Sequence, residues 1–197
     1  NDGSILQTGT IEAQLDAGTS VTVTTGTAGT DIELGDITVA DDISKTTGAN
    51  ASLTLAAHNS IILNSNTNIT STTGTLDVTL NSDLDSSGAG AIVMNTGSSI
   101  DSNGGDIVLG GGADPFVEAA FGEGANQEGI KLDGAILSAG AGSISLTGEG
   151  RIGAAGSQMG ILLAGVASIT TTGGSIDLNG TGGDGSTINT AGIQAIA

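Results

Sequence analysis

Along this chain, aliphatic residues come in alternate pairs set between polar and glycine-rich stretches. The clearest are Val21/Val23, Leu53/Leu55, Leu76/Val78, Ile107/Leu109, Ile144/Leu146 and Ile176/Leu178. Apolar–polar–apolar alternation predicts a short strand with one buried face. The pairs recur every 23 to 37 residues, an internal repeat that points to stacked supersecondary units. Before four of them stands a Gly two residues back (Gly74, Gly105, Gly142, Gly174) and an aliphatic seven back (Ile69, Ile100, Leu137, Ile169). "ITSTTGTLDV" (69–78) and "ITTTGGSIDL" (169–178) display the whole phrase. The spacing predicts that one strand ends, the chain turns a corner on Gly and Ser/Thr, and the next strand begins facing inward again. Glycine suits such a corner because it tolerates positive φ and close backbone approach.

Further apolar points lie between these anchors: Ile61 and Leu63, Ile92 and Met94, Ile130 and Leu132, Ile161 and Leu163, Ile188 and Ile193. Each repeat thus carries about three brief strands, none able to bury its inner face alone. Stacking them in register, as a parallel β-helix does, fills a narrow aliphatic bore. With rungs ~4.8 Å apart, six or seven of them predict a rod about 30 Å long. A β-sandwich or β-roll would call for longer strands, Asn-Gly or Asp-Gly hairpins and an aromatic core. Only "LDGA" (132–135) approaches such a hairpin.

One segment, 110–129, breaks the pattern with "GGGADPFVEAAFGEGANQEG". Asp114 is a suitable cap, Pro115 a suitable first helical residue and Gly122 a stop, so a short helix or turn is predicted near 113–122. The insertion holds the only proline and both aromatic residues, Phe116 and Phe121. It reads as a corner insertion whose phenylalanines cover an apolar patch, with a docking knob as the alternative.

Composition sharpens this picture. Thirty-five glycines, two aromatics and no cysteine in 197 residues, with mean hydropathy of +0.22, describe a small-bore aliphatic core without disulfides or thiolate metal sites. Twenty-one acids against three bases give a net charge of −18. That balance disfavours nucleic acid and anionic membranes, since almost nothing is present to neutralise phosphates. There is no apolar run of the ~18 residues a bilayer span requires. The ends, "NDGSILQTG" and "GIQAIA", fall in mid-pattern and without a capping helix. They read as those of a processed or excised segment of a longer chain, forming one β-helix over 1–197.

"IEAQLDAGTSVTVTT" (11–25), "ASLTLAAHNSIILNSNTNITSTTGTLDVTLNSD" (51–83), "GGDIVLGGG" (104–112) and "AGSISLTGEGRIGAAGSQMGILLAG" (141–165) resemble the repeats of filamentous-haemagglutinin-type exoproteins. The likeness covers most of the chain outside 110–129. It implies a right-handed β-helix, export by two-partner secretion through an outer-membrane exporter, and a fibre at the bacterial surface or released from it. Adhesion, matrix or contact-dependent roles follow from the same likeness, with cell-surface or matrix receptors as partners. The Asn-Pro-rich secretion domain of that family is absent from these residues, so the stretch corresponds to shaft.

Candidate chemistry is sparse. His58, in "AAHNS", is the only histidine and has no nucleophile motif around it. Asp41–Asp42 resemble the paired aspartates of polygalacturonases, but that family's Gly-His-Gly and Arg-Ile-Lys motifs are missing. The only bases, Lys45, Lys131 and Arg151, stand far apart in the repeat. Two acidic loops, "DLDSSGAG" (83–90) and "TGGDGSTIN" (181–189), offer hard oxygen ligands and make Asp83, Asp85 and Asp184 weak Ca²⁺ candidates. Thr187 stands where a calcium β-roll needs Asp, and Met94 where an EF-hand needs its closing Glu. Residues following the anchors, Thr22, Thr54, Asp77, Val108, Ser145 and Asp177, make no threonine array fit for ice. Asn50, Asn68 and Asn179 begin Asn-x-Ser/Thr sequons that arise readily by chance in so Thr-rich a chain.

The expectation is a non-catalytic shaft with no required cofactor. Its important residues are the ladder (Val21, Leu53, Leu76, Ile107, Ile144, Ile176) and the corner glycines. The rival reading is a subunit that stacks end to end through unpaired rung edges, and a polysaccharide-active enzyme is the remote one.

Overall fold

The computed structural model describes residues 3–26, 34–153, 158–184 and 190–196. Over these the chain winds as a parallel β-helix, its short strands falling into three parallel sheets of seven, six and five strands. The first sheet stacks Val21–Thr24, Ala51–Ala56, Leu76–Ser82, Ile107–Gly111, Ile144–Glu149 and Ile176–Thr181. The second stacks Ile37–Val39, Ile61–Leu63, Ile92–Met94, Ile130–Asp133, Ile161–Ala164 and Ile193–Ile196. The third stacks Ile43–Lys45, Asn68–Ser71, Ser99–Asp101, Ile136–Ser138 and Ser168–Thr170. Every turn visits the sheets in that order, and the final turn shows strands of the first two only.

Burial follows from the two-residue period of a strand. In the second sheet Ile37, Ile61, Ile92, Ile130, Ile161 and Ile193 lie in register, with Val39, Leu63, Met94, Leu132, Leu163 and Ala195 as the second inward column. Ile188 lies outside the described residues. The third sheet stacks Ile43, Ile69, Ile100, Leu137 and Ile169. Nearly all inward side chains of the middle turns are fully buried, which replaces an aromatic core with many small contacts.

The first sheet corrects the ladder by one step. Leu53 pairs with Val78, not Leu76, and Val78 with Ile107; Leu76 lies beside Ala51. Leu76, Val78 and Leu80 all alternate inward, so the third turn carries an additional inward residue. With that register the outward neighbours of the ladder are Thr22, Thr54 and Thr79, followed by Val108, Ser145 and Asp177.

Corners have two chemistries. Between second and third sheets, Asn66, Gly97, Gly134 and Gly165 occupy the left-handed region, with φ of 61°, 80°, 59° and 62°, which only Gly and Asn adopt readily. Gly134 thus closes the "LDGA" stretch as a corner, since the strands it joins belong to different sheets. Between third and first sheets Gly74 has φ of +69°, whereas Gly105, Gly142 and Gly174 are required by space. A Cβ on Gly105 would strike the Leu76 carbonyl, on Gly142 that of Gly105, and on Gly174 that of Gly142.

Two features depart from the pattern expected. Residues Thr8–Asp16 form an α-helix that buries Ile11 and Leu15 against the first turn, so this end does carry a capping helix. The alternation that reads as strand also places Ile11 and Leu15 one helical turn apart. The insertion takes the turn, not the helix, of the two forms expected. Glu118 N and Val117 N donate to the Asp114 carbonyl (2.8 and 3.0 Å), Phe116 N to Asp114 Oδ1 and Ala113 N to Glu118 Oε2 (2.5 Å). That makes a single turn, after which Ala120–Phe121 rejoins the first sheet beside Gly148–Glu149. Phe116 is 60 % exposed and Val117 69 %, so Phe116 covers no apolar patch. Backbone does the covering: Pro115 and Glu118 carbonyls lie over Gly110, and Asn81 Nδ2 donates to the Gly112 carbonyl (3.1 Å).

Candidate functional site

The residues with chemical potential are dispersed around the rod and tied into it. Asp41 and Asp42 line a shallow hollow of about 450 Å³ with Thr8, Ala40, Ser65, Asn66 and Thr67. Asp42 Oδ1 accepts from Asn68 N (2.8 Å) and Asn68 Nδ2 (3.2 Å). No Lys, Arg or His lines this hollow. His58 sits half-buried on a corner after the second turn's first strand, its backbone N–H donating to Thr25 Oγ1 (2.9 Å).

The bases do not converge. Lys131 pairs with Asp133 on its own strand (3.4 Å). Arg151 follows the fifth first-sheet strand, its backbone N–H bonded to the Gln127 carbonyl (2.9 Å). Lys45 is fully buried where an inward aliphatic would end the first turn's third strand. Its ammonium donates to the carbonyls of Thr47 (2.9 Å), Gly48 (3.4 Å) and Thr73. The same column continues with Ser71, whose Oγ donates to the Gly74 carbonyl (3.0 Å), and Ser102, whose Oγ donates to Gly105 (2.5 Å). Thr171 Oγ1 donates to the Gly174 carbonyl (2.9 Å). Each of these side chains donates to a corner carbonyl, and the Gly74 carbonyl also accepts from Asn103 Nδ2 (2.9 Å).

Asp83 is the most engaged of the calcium candidates. It is buried, with φ of +50°. Its Oδ1 accepts from Ser87 N (2.8 Å), Ser87 Oγ (2.9 Å) and Gly88 N (3.1 Å), while Oδ2 also accepts from Gly88 N (3.1 Å). A carboxylate ringed by N–H and O–H donors holds the loop together. Asp85 is exposed in the same loop, and Asp184 Oδ1, after the sixth first-sheet strand, accepts from Gly153 N (2.7 Å). No cluster of three acidic or His ligands occurs among the described residues.

Composition and spacing did not disclose what several of the acids, and Asn50 with them, do. Asp36 Oδ1 accepts from Ser60 N (2.9 Å), Asp77 Oδ1 from Asp106 N (3.0 Å), Asp106 Oδ1 from Ser143 N (2.7 Å) and Asn50 Oδ1 from Thr75 N (3.0 Å). In each case an outward oxygen on one turn receives a backbone N–H from the next. The signal was present as a short polar residue directly before the inward aliphatic: Ser20, Ser52, Asp77, Asp106, Ser143 and Ser175.

At the helix the same chemistry recurs. Glu12 Oε1 accepts from Ser44 N (2.8 Å), and Asp16 Oδ1 from Thr46 N (2.7 Å) and Thr47 N (3.0 Å). Hydrogen bonds from the Thr47 and then the Thr46 backbone hold the Asp16 carboxyl below the ordinary aspartate range, with smaller help from the Thr46 hydroxyl and the Lys45 charge against a modest opposing cost of desolvation.

What these observations define is a parallel β-helix whose polar groups stitch turn to turn. No protein family, no curated protein and no solved structure matches the chain.

Proposed function

We propose that this chain is a non-catalytic structural rod, the shaft of an extracellular surface fibre with adhesive contacts on its outer faces and corner loops. The observation that carries this reading is the use made of the acids. Oxygens of Asp36, Asp42, Asp77 and Asp106 accept backbone N–H groups across turns, so these four carboxylates serve cohesion. The resemblance to filamentous-haemagglutinin-type repeats supplies the extracellular half of the proposal, with cell-surface or matrix receptors as partners and an outer-membrane exporter as route. The reading assigns no cofactor. Antibodies against the rod test it on intact cells of the source organism: labelling without permeabilisation is expected, and labelling only after permeabilisation overturns it.

A second reading, a filament subunit stacking end to end, is favoured by one observation. The final turn leaves Ile176, Ile193 and Ile196 between 43 and 48 % exposed, with strand edges unpaired on one side among the described residues. Electron microscopy separates the two, isolated rods supporting a shaft and regular filaments a subunit.

A further inference from the structure

The insertion holds a peptide bond unlike any other in the chain. Pro115 is the only proline and Asp114 precedes it, so here alone an amide without an N–H follows a residue, and that residue is an aspartate. The proline nitrogen, carrying two alkyl substituents, takes up a proton more readily than an ordinary peptide nitrogen as it departs. The bond is therefore the weakest point of the backbone toward attack by a neighbouring carboxylate.

The turn around this bond is arranged for that attack. Phe116 N donates to Asp114 Oδ1 (3.1 Å), closing a hydrogen-bonded ring that contains the Asp114 carbonyl carbon and Pro115 N. The carboxylate is thereby folded back along the bond, and its addition to that carbon closes a five-membered ring. The Asp114 carbonyl oxygen accepts from Glu118 N (2.8 Å) and Val117 N (3.0 Å). Two N–H groups thus converge on the atom that acquires negative charge when the carbonyl is attacked. Glu118 Oε2 accepts from Ala113 N and Asp114 N and locks the turn from its other side. Asp114 is exposed and Pro115 half-buried, so water reaches the bond.

We infer that Asp114–Pro115 is a self-cleavage site. A side-chain oxygen of Asp114 bonds to its own carbonyl carbon, the bond from that carbon to Pro115 N breaks, and the departing nitrogen takes a proton from solvent. Water then opens the cyclic anhydride left on Asp114. The products are an Asp114 with a free α-carboxyl and its side chain restored, and a Pro115 that begins a new chain. One water is consumed and no other reactant is required.

The cut leaves the rod in one piece. On one side Gly112 N donates to the Ser82 carbonyl (3.0 Å) and the Gly112 carbonyl accepts from Asn81 Nδ2 (3.1 Å). On the other, Ala120 and Phe121 stay paired with Gly148 and Glu149, and Phe121 and Gly90 exchange backbone bonds of 2.9 and 3.0 Å. What is freed is the tip 115–117, whose Phe116 and Val117 are exposed. It becomes a positively charged chain end on a rod of net charge −18. This goes beyond the shaft reading and is tested separately from it. The event occurs once per chain on no external substrate, and cell-surface labelling is indifferent to it.

The purified chain is held in mildly acidic buffer, which supplies the proton, and its mass is followed with time. Two fragments are expected, 1–114 and 115–197, with masses that sum to the intact chain plus one water. They are expected to co-elute with uncut rod on size exclusion and to separate only in guanidinium chloride. Cleavage of the folded chain is expected to run roughly tenfold faster than in the same buffer with guanidinium chloride, because the turn supplies orientation and charge stabilisation. D114N keeps an acceptor for Phe116 N but removes the carboxylate, and P115A restores an ordinary peptide bond; both are expected to stay intact. Absence of fragments from the folded chain, cleavage as fast when unfolded, or undiminished cleavage in either variant overturns the inference.

Discussion

At the scale of single residues, the third-sheet corner column shows how this rod handles polar groups inside a bore built for methyls. Lys45 begins a column continued by Ser71, Ser102, Ala139 and Thr171, and its ammonium serves three carbonyls where Ser71 or Ser102 serves one or two. Replacing it with Met keeps volume and removes the donors. K45M is expected to cost roughly 2–3 kcal/mol, because three part-buried carbonyls lose their charged donor. K131M, which breaks only the half-exposed pair with Asp133, is expected to cost at most about 1 kcal/mol. Urea denaturation of the two variants checks the contrast. A second pair tests the spatial glycines. G105A forces a Cβ into the Leu76 carbonyl and is expected to cost roughly 2–4 kcal/mol, whereas G124A, in open space, is expected to stay within about 0.5 kcal/mol. The inward alternation itself was legible in the sequence, since each aliphatic pair states its own facing. Register on the third turn was not, because Leu76, Val78 and Leu80 make two overlapping pairs that local spacing cannot rank. Nor was the burial of Lys45 legible, since corner positions filled elsewhere by Ser or Thr give no hint that a long cation belongs among them.

At the scale of elements, the helix Thr8–Asp16 and the insertion are both settled by their neighbours in the coil. Pro115 and Asp114 advertise a helix start, yet the segment closes after one turn, because Glu118 bends back to Ala113 N and the chain must return to pair at Gly148. Ile11–Leu15 advertises a strand, yet folds as a helix because the first turn needs its inner residues covered. Both outcomes are tertiary overrides of local preference, and only the position of the neighbouring turn decides them. The helix anchorage has a definite pH dependence. Because the Asp16 carboxyl is held below its ordinary value in the folded chain, its contribution is complete above the ordinary aspartate range and is lost as pH falls through the lowered folded value. The amide proton shifts of Thr46 and Thr47 are therefore expected to titrate together, with a midpoint below about 3.9, the free aspartate value. D16N is expected to abolish that titration while leaving the amides of the central turns unchanged. A midpoint at or above the free value in NMR spectra would contradict the hydrogen-bond assignment.

At the scale of the molecule, a coil in which every turn touches only its neighbours has a stability that is close to a sum of turns and the joins between them. Position along the rod then sets the cost of an otherwise identical change. Leu146 and Leu178 are successive members of one inward column, but Leu146 is fully buried between two turns while Leu178 lies on the last and is only partly covered. L146A leaves a cavity that neighbours on both sides cannot fill and is expected to cost roughly 3–5 kcal/mol. L178A removes contacts from one side only and is expected to cost about 1 kcal/mol, with most of the loss confined to the final turn. Hydrogen exchange discriminates the two patterns. In the L146A protein, amides of the fourth and fifth turns are expected to lose protection together, whereas in L178A only amides beyond about residue 175 should do so. Uniform loss along the whole chain in both variants would mean that the rod unfolds as one cooperative block. The turn-to-turn carboxylate bonds of Asp77 and Asp106 would then couple distant turns far more strongly than the aliphatic ladder alone requires.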